Sequence, residues 1–351
     1  MRRAHRTTNA AAGPRRRRPA DSRTPLLRGL LLVAAAIGAA SATPGRCRAA
    51  APDAGVPDAA ASGQPAGPGV ELRDGDRVVF LGDTFFEREG QRGFVESALA
   101  AAHPDATLHF RNLGWSGDTV WADSRGVFDA AAKGYERMLA LVADLAPSVV
   151  FLAYGRNEAE RGEAGLPAFR GQLARLCGDV RRAAAGRDRD PRAVRLVLVT
   201  PTPCETIDAD ARNAALAAYA GAIREVATEE HAAVVDLFAA FSPVAARPPL
   251  TANGVHLSDA GYAAAAERFV AATGRRLPAA FAAAAADLRP LVVAKNTLFF
   301  HRWRPANETY IFLFRKHEQG NNAVEMPRFD PLVEEAENKV REAIRSLEAR
   351  R

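Results

Sequence analysis

The sequence lacks several features that would assign it to a common functional class. Three cysteines among 351 residues are too few for a disulfide framework. There is no Walker phosphate-binding loop and no dinucleotide fingerprint. The first 50 residues hold 11 arginines and one aspartate, a net +10, so the rest of the chain carries −4 of the total +6. Nucleic acid is therefore excluded as a partner, because a nucleic-acid-binding body needs clustered basic charge.

The first 42 residues have the pattern of a secretory signal peptide. An arginine-rich stretch precedes an apolar run at 30–40, and Ala-Ser-Ala at 40–42 supplies a cleavage site. The run is short for a membrane span, so we predict a cleaved leader and a secreted or periplasmic protein. An uncleaved anchor is the alternative, and it is the only membrane contact that the sequence suggests. Cys47 does not indicate a lipoprotein, because Arg46 precedes it and Pro44 stands where a lipobox has leucine.

The body of the chain is predicted to be an α/β domain. Residues 43–70 are rich in alanine, proline and glycine and are predicted to be a flexible linker. Residues 71–285 then alternate short apolar runs with helical patterns, which is typical of a parallel sheet covered by helices on both faces. The five strands are predicted at 77–81, 107–112, 148–153, 195–200 and 233–237, and the helices at about 91–102, 130–146, 164–185, 209–230 and 259–273.

Four polar blocks follow predicted strands or a later loop. They read GDT at 82–84, NLGWSGD at 112–118, GRNE at 155–158 and NGVHLSD at 253–259. In this order, over about residues 76–275, they resemble the blocks of the SGNH, or GDSL-like, hydrolases. That resemblance implies a doubly wound, flavodoxin-like parallel sheet and cleavage of esters. Ligands bind such sheets beyond the carboxyl ends of the strands, which is where three of the blocks stand.

Ester hydrolysis needs a hydroxyl nucleophile, a base and donors for the developing oxyanion. By resemblance, Thr84 takes the place of the nucleophilic serine, and its extra methyl group restricts χ1. His256 matches the base. The backbone N–H groups of Thr84 and Gly117 and the side-chain amide of Asn157 match the oxyanion donors. The resemblance implies no metal and no cofactor.

Two further positions depart from the family pattern. Asn253 stands where the family has the aspartate that orients the histidine, and an amide supplies no charge and can select the wrong tautomer. In a serine protease that change costs about 10⁴ in rate. Asp236 and Asp259 are the candidates for a replacement carboxylate. Glu158 stands where the third block usually has aspartate. Together with Asp83, Arg156 and Asn253, it is predicted to contact substrate, although a solvated Arg156–Glu158 pair is the commoner case for such neighbours.

A narrower resemblance is to secreted GDSL-like proteins of planctomycete-type bacteria. It rests on FLGDTF at 80–85, RNLGWSGD at 111–118, LTANGVHL at 250–257, and a tail from KN at 295–296 to FHRWR at 300–304. In that group an aspartate often stands at the position of Ala252. Such proteins are often associated with polysaccharide deacetylation, which makes an acylated glycan a reasonable expectation.

Several residues have a second interpretation. Ser116 is a competing hydroxyl, but it lacks the Gly-x-Ser-x-Gly spacing of a nucleophile elbow. Thr84 could cap a helix instead of attacking substrate. Cys177 and Cys204 are predicted to be small buried side chains, with a bridge between them as the alternative. His301 and His317 are isolated and lack metal-ligand spacing.

The last part of the chain, residues 286–351, is predicted to be a separate extension. Its aromatic residues alternate with arginines between 299 and 315. We expect these rings to pack over the sheet or the mouth of the site. The functional alternative is that they form a platform for binding carbohydrate. Binding of single-stranded nucleic acid is disfavoured, because the protein is predicted to be secreted. Residues 331–349 are predicted to form a charged helix with a thin apolar stripe that docks on the body or on a partner.

The sequence thus predicts a secreted ester hydrolase acting on a small-molecule or glycan ester. The altered nucleophile and the missing acid favour one alternative, a catalytically inactive glycan-binding protein on the same fold. An assembly role for the tail helix is a third hypothesis. The acyl group, the sugar and the oligomeric state stay open.

Overall fold

Five parallel strands form one sheet in the order β2-β1-β3-β4-β5. The computed structural model describes residues 69–318, 320 and 322–348, so the predicted signal peptide, most of the linker and Cys47 lie outside the described residues. This strand order confirms the doubly wound, flavodoxin-like fold. The strands are β1 Arg77–Gly82, β2 His109–Gly114, β3 Val149–Ala153, β4 Arg195–Val199 and β5 Ala233–Val235.

Ten helices cover the sheet and extend beyond it within the described residues. They are α1 Thr84–Gly90, α2 Phe94–Ala102, α3 Ala131–Leu145, α4 Gly162–Ala185, α5 Asp210–Glu229, α6 Leu237–Ala240, α7 Asp259–Ala272, α8 Phe281–Trp303, α9 Glu308–Ile311 and α10 Phe329–Glu348. None of the helices in the described part of the chain is both long and apolar enough to cross a membrane.

Alternation along the strands creates two cores, because successive side chains point to opposite faces of a sheet. On β1, Val78 and Phe80 enter the core beneath α2 and α7, whereas Val79 and Leu81 enter the core beneath α3 to α5. All four are at most 1% exposed. Burying each such side chain contributes about 1.5–3 kcal/mol, so this pattern fixes which face each helix covers.

The sequence prediction differs from the structure in several segments, and three of these differences bear on the site and the extension. Strand β2 starts two residues late, because Asp74 and Gly75 hold the backbone of Thr107 in the preceding connection. Helix α1 was not predicted, since it is only seven residues long. Helix α8 was not predicted either: it continues through Pro290, and it starts before residue 286. The extension is therefore packed on the body as two long helices, not as an aromatic tail followed by one helix.

The extension covers the edge strand β2. Lys295 of α8 is fully buried, where it pairs with Glu96 at 2.7 Å and donates to the carbonyl of Phe110 at 2.9 Å. From α10, Glu337 accepts hydrogen bonds from Arg111 at 2.6 Å and pairs with His109 at 3.2 Å. An open strand edge invites pairing with other chains, and these helices close it.

A buried carboxyl group predicts how stability depends on pH. Glu89 accepts the N–H groups of Val95 and Glu96 with one oxygen, while the other oxygen has no partner. Burial raises the pKa of Glu89 to about 8, so the folded protein holds this proton over a pH range in which the unfolded chain has lost it. Stability should therefore fall as pH rises from 4.5, the ordinary pKa of a glutamate, towards about 8.

We expect Glu89→Gln to flatten that decline, because glutamine carries no charge at any pH. The melting temperature of the variant should exceed that of the wild type by several degrees above pH 8, given about 2–4 °C per kcal/mol. Thermal unfolding at pH 5 and pH 8.5 measures the effect. Glu136→Gln, an exposed carboxyl on α3, is the control. If the melting temperatures of Glu89→Gln and the wild type changed by the same amount between pH 5 and pH 8.5, Glu89 would not be the titrating group.

Candidate active site

Thr84, Gly117 and Asn157 come together at the carboxyl ends of β1, β2 and β3. Asp83 caps α1 by accepting the Phe85 N–H at 2.9 Å, so Thr84 is the first residue of that helix. The N–H of Gly117 donates to Thr84 Oγ1 at 3.1 Å. Asn157 Nδ2 donates to the Asp118 carbonyl at 2.7 Å. Residues 117 and 118 thus contact both Thr84 and Asn157.

These contacts leave hydrogen-bond donors free near the Thr84 hydroxyl. The Thr84 N–H lies in the first turn of α1 and has no partner among the described residues; such N–H groups have no acceptor within their own helix. An asparagine amide carries two N–H donors, and the Asp118 carbonyl takes one of those of Asn157. Gly117 has φ +73°, a backbone conformation that favours glycine. The Gly117 N–H thus contacts the Thr84 hydroxyl at the start of a helix, where negative charge is favoured, and Asn157 is joined to the next residue, Asp118.

Three buried charged groups support this edge of the sheet. Asp118 pairs with Arg125 at 2.5 Å, and Arg125 also donates to the Leu113 carbonyl at 2.8 Å. Glu158 accepts the N–H groups of Val120 and Gly155, both at 2.8 Å. Burial raises the pKa of Glu158 to about 7. Both Glu158 oxygens accept backbone N–H groups, so this side chain joins the two loops; its predicted contact with substrate stays a prediction.

Asp83 also has a structural contact, and its predicted contact with substrate likewise stays a prediction. Its side chain is buried and caps α1, and burial raises its pKa to about 6. Its position beneath Thr84 fixes the start of the helix. Arg156 is only partly buried and donates to Thr202, to the backbone carbonyl and to Oγ1 at 2.7 Å. Its predicted contact with substrate stays a prediction, and the predicted solvated pair of Arg156 with Glu158 does not form.

His256 lies in a closed loop held by its neighbours. Its carbonyl accepts the Ala252 N–H at 2.8 Å, and Asn253 Oδ1 accepts the N–H groups of Val255 and His256 at 3.2 and 2.9 Å. The glutamate at 205, which sequence reasoning missed, accepts the N–H of Thr251 at 2.8 Å. Asn253 therefore shapes the backbone of the loop and does not orient the imidazole.

The imidazole of His256 forms no hydrogen bond within the described residues, either to Thr84 or to a carboxylate. Asp236 is engaged with Thr200, Arg224 and the start of α6, and Asp259 pairs with Arg92. Neither replaces the missing acid. Burial, together with the charges of Arg88 and Arg156, lowers the pKa of His256. The ring is thus neutral, and able to accept a proton, at a lower pH than an ordinary histidine.

Comparison with known proteins decides the family. Residues 65–264 match the model of the GDSL-like lipase/acylhydrolase family. The chain belongs to this family. It is therefore an ester-acting hydrolase by descent, and the blocks around Thr84, Asn157 and His256 lie within the matched region. No curated protein matches the chain.

Several solved structures are similar to this member of the family. An acetylxylan esterase from Geobacillus stearothermophilus is 20% identical, with a TM-score of 0.46, over 58% of this chain and 97% of the esterase. A structure described as a GDSL-like lipase from Parabacteroides merdae is 16% identical, with a TM-score of 0.47, over 59% of this chain and 99% of the lipase.

The C-terminal extension of this GDSL-like protein reaches the loop that carries Gly117. The Arg304 guanidinium lies 3.6 Å from the centre of the Trp115 ring and donates to Glu87 at 2.8 Å. The same Glu87 oxygen accepts the Ser116 N–H at 2.6 Å. The Trp115 ring also packs against the Trp303 ring, with the two ring centres 5.8 Å apart. The prediction that tail aromatics pack over the sheet or the site mouth thus holds for Trp303 and the buried Phe299, whereas Phe312 and Phe314 are exposed.

We expect Arg304→Met to lower kcat on acetyl esters about tenfold with little change in KM. Loss of the ion pair frees the loop that positions the Gly117 N–H, and deleting an oxyanion donor outright costs about 10²–10³. Steady-state kinetics measures the effect, and Arg302→Met, a neighbour that pairs with Asp330, is the control. Equal losses in both variants, or a change confined to KM, would contradict this positioning role.

The two remaining cysteines are both free and buried. Cys177 packs in the core below α4. Cys204 lies 3.2 Å from the Gly254 carbonyl, beneath the loop that carries His256. The predicted small buried side chains are therefore confirmed, and the alternative of a bridge between them is wrong.

Proposed function

We propose that this protein hydrolyses esters with Thr84 as nucleophile and His256 as general base. The observation that carries the proposal is the 3.1 Å hydrogen bond from the Gly117 N–H to Thr84 Oγ1 at the first residue of α1. It brings a hydroxyl and a backbone N–H together, and we assign the Thr84 N–H and the Asn157 amide as the two further oxyanion donors. Preorganised donors of this kind are usually the largest contribution to acyl-transfer catalysis.

The proposed reaction proceeds in two steps. Thr84 Oγ attacks the ester carbonyl carbon, its proton passes to His256, and the carbonyl oxygen becomes an oxyanion between the three donors. The carbon–oxygen bond to the alcohol breaks, and the alcohol takes the proton from His256. Water, activated by the same imidazole, then cleaves the acyl-Thr84 ester and releases the acid.

We propose a short acyl group on a hydrophilic alcohol, such as an acylated carbohydrate. Arg88 and Arg156 act on the pKa of His256, and Asn157 is joined to the loop that contacts Thr84; polar groups of this kind favour a short acyl group on a hydrophilic alcohol over a long acyl chain. Phe128 and Phe314 form an edge-to-face pair at 5.8 Å, with exposed fractions of 70% and 65%. Exposed aromatic rings of this kind can stack on a sugar ring.

Export is part of the proposal. The basic stretch, the apolar run and the Ala-Ser-Ala site at 40–42 support a cleaved signal. Expression of the full chain in a bacterial host, followed by N-terminal sequencing of the exported protein, tests this. A mature N-terminus near residue 43 is expected, and a cytoplasmic protein that retains residues 1–42 would contradict it.

Hydrolysis of 4-nitrophenyl acetate, butyrate and decanoate by wild type and His256→Ala tests the proposal. The wild type should act on the acetate and butyrate well above the decanoate, and His256→Ala should lose this activity. A second candidate, a non-catalytic glycan-binding protein, is favoured because no carboxylate in the described part of the chain forms a hydrogen bond with the imidazole. Equal rates for both proteins, at the level of spontaneous hydrolysis, would favour that candidate over the hydrolase.

A further inference from the structure

The loop that carries His256, residues 250–258, is closed on itself by its own hydrogen bonds. The N–H and the hydroxyl of Ser258 donate to the Leu250 carbonyl at 2.8 and 3.0 Å. Within this closure, the Ala252 N–H donates to the His256 carbonyl at 2.8 Å. These bonds fix the shape of the loop, but they do not fix where the loop lies relative to the sheet. That position depends on contacts with the rest of the chain.

Glu205 makes such contacts from the segment that follows β4. Its carboxylate accepts the N–H groups of Leu250 at 3.0 Å and of Thr251 at 2.8 Å, and it also accepts the Thr251 hydroxyl at 2.5 Å. The N–H of Glu205 donates to the Gly254 carbonyl at 2.7 Å. The side chain of this one residue therefore holds the base of the loop, and its backbone holds the turn that precedes His256.

The surroundings of Glu205 are built for a permanent carboxylate. Its side chain is only 5% exposed and pairs with Arg247. Burial raises the pKa of this carboxyl, but the hydrogen bonds from Thr251, Leu250 and Arg247 outweigh burial and leave the pKa lowered. The two segments also pack closely, because a Cβ atom on Gly254 would lie 3.0 Å from the backbone nitrogen of the residue after Glu205. The contact is thus specific and charged.

The segment that carries Glu205 is anchored at the edge of the sheet where the proposed oxyanion donors lie. It follows β4 directly, and Arg156, the neighbour of Asn157, donates to the Thr202 carbonyl and, at 2.7 Å, to Thr202 Oγ1. Asn157 is in turn joined to the residue after Gly117. Removal of the Glu205 carboxylate would therefore leave these contacts in place and release only the loop of the histidine.

We propose that Glu205 is a positioning residue that holds His256 within reach of the nucleophile and the substrate. The imidazole forms no hydrogen bond with another group of the described chain, and Asn253 binds the loop backbone, so the place of the ring depends on the place of the loop. A base must lie within hydrogen-bond reach of the proton that it takes, and a displacement of about 1 Å can cost about 10²-fold in rate. This inference rests on the proposed hydrolase function, in which His256 is the general base.

A double-mutant cycle with 4-nitrophenyl acetate tests the inference. Glu205→Ala should lower kcat about 10²-fold and change KM by less than about twofold, because it displaces the base and leaves the oxyanion donors in place. In a His256→Ala background, the same substitution should change kcat by less than about twofold, since Glu205 acts through His256. The control is Glu230→Ala, which removes a carboxylate that pairs with Arg181 before β5, at the opposite edge of the sheet; it should leave kcat unchanged.

Hydrogen exchange followed by mass spectrometry gives a readout that does not depend on turnover. Glu205→Ala should speed exchange in peptides covering residues 250–257 and leave β1 and β3 as protected as in the wild type. Glu205→Gln, which keeps an acceptor oxygen, should lie between the wild type and Glu205→Ala in both exchange and kcat.

Three results would overturn the inference and leave the hydrolase standing. They are unchanged exchange in residues 250–257 of Glu205→Ala, faster exchange throughout the sheet, and an equal loss of kcat with and without His256. A different result, a His256→Ala protein as active as the wild type, would overturn the proposed function, and with it the catalytic reason for holding the loop.

Discussion

Thr84→Ala should lower kcat on 4-nitrophenyl acetate by at least about 10³-fold, because it removes the only hydroxyl that accepts the Gly117 N–H. Thr84→Val, which keeps the shape but not the hydroxyl, should lose as much. Thr84→Ser should match or exceed the wild type, since it keeps the hydroxyl and removes the methyl group that restricts χ1. Initial rates corrected for spontaneous hydrolysis measure all three variants.

Ser116→Ala is the matched control for this series. Ser116 is the competing hydroxyl on the neighbouring loop, and its backbone N–H, which the substitution keeps, donates to Glu87. Its removal should leave the rate within about twofold of wild type, the range expected for a surface change. If Thr84→Ala hydrolysed the ester at the wild-type rate, or if Ser116→Ala lost most of its activity, Thr84 would not be the nucleophile.

Lys295→Met should destabilise the protein by about 3–5 kcal/mol, the usual cost of removing one partner of a buried ion pair. Lys295 is fully buried, and its loss leaves Glu96 and the Phe110 carbonyl without their cation. Burial already raises the pKa of Glu96 against the effect of Lys295, so in the variant this carboxyl should take up a proton. The loss of stability should therefore grow as pH rises.

Urea unfolding at pH 5.5 and pH 8.5 measures this effect. Lys339→Met, an exposed lysine that pairs with Glu335 on α10, should change stability by less than about 0.5 kcal/mol. The double variant Lys295→Met with Glu96→Leu should recover much of the loss, because no unpaired charge is then buried. A fully stable Lys295→Met would contradict an integral role for the extension.

The sheet was predictable because its strands are buried on both faces and carry short apolar runs with turn residues after them. The flanking helices have lengths and periodic patterns that sequence reasoning can detect. Helix α1 was not predictable, because seven residues are too few to show a helical hydrophobic periodicity, although Asp83 is a good N-cap. Missing α1 also hid Arg88, whose relation to Thr84 is a helical one.

The sequence predicts which blocks of residues belong to the site, but it does not predict the contacts that their side chains make. Thr84, Gly117 and Asn157 follow strand ends, so a parallel sheet brings them to one edge. Nothing in the sequence shows that Glu158 points inwards to join two loops, or that Arg304, more than 180 residues after Gly117, reaches that loop through Glu87. Such contacts depend on the path of loops and of α8, which local patterns do not specify.

Covalent trapping tests the central claim most directly. An organophosphate ester such as diethyl 4-nitrophenyl phosphate transfers its phosphoryl group to an activated hydroxyl and releases 4-nitrophenolate, and peptide mapping by mass spectrometry then locates the adduct. The account predicts one diethylphosphoryl group on Thr84 in the wild type and a strongly reduced yield in His256→Ala. A label on Ser116 or another residue with Thr84 unmodified, or labelling of Thr84 at the same rate without His256, would contradict it.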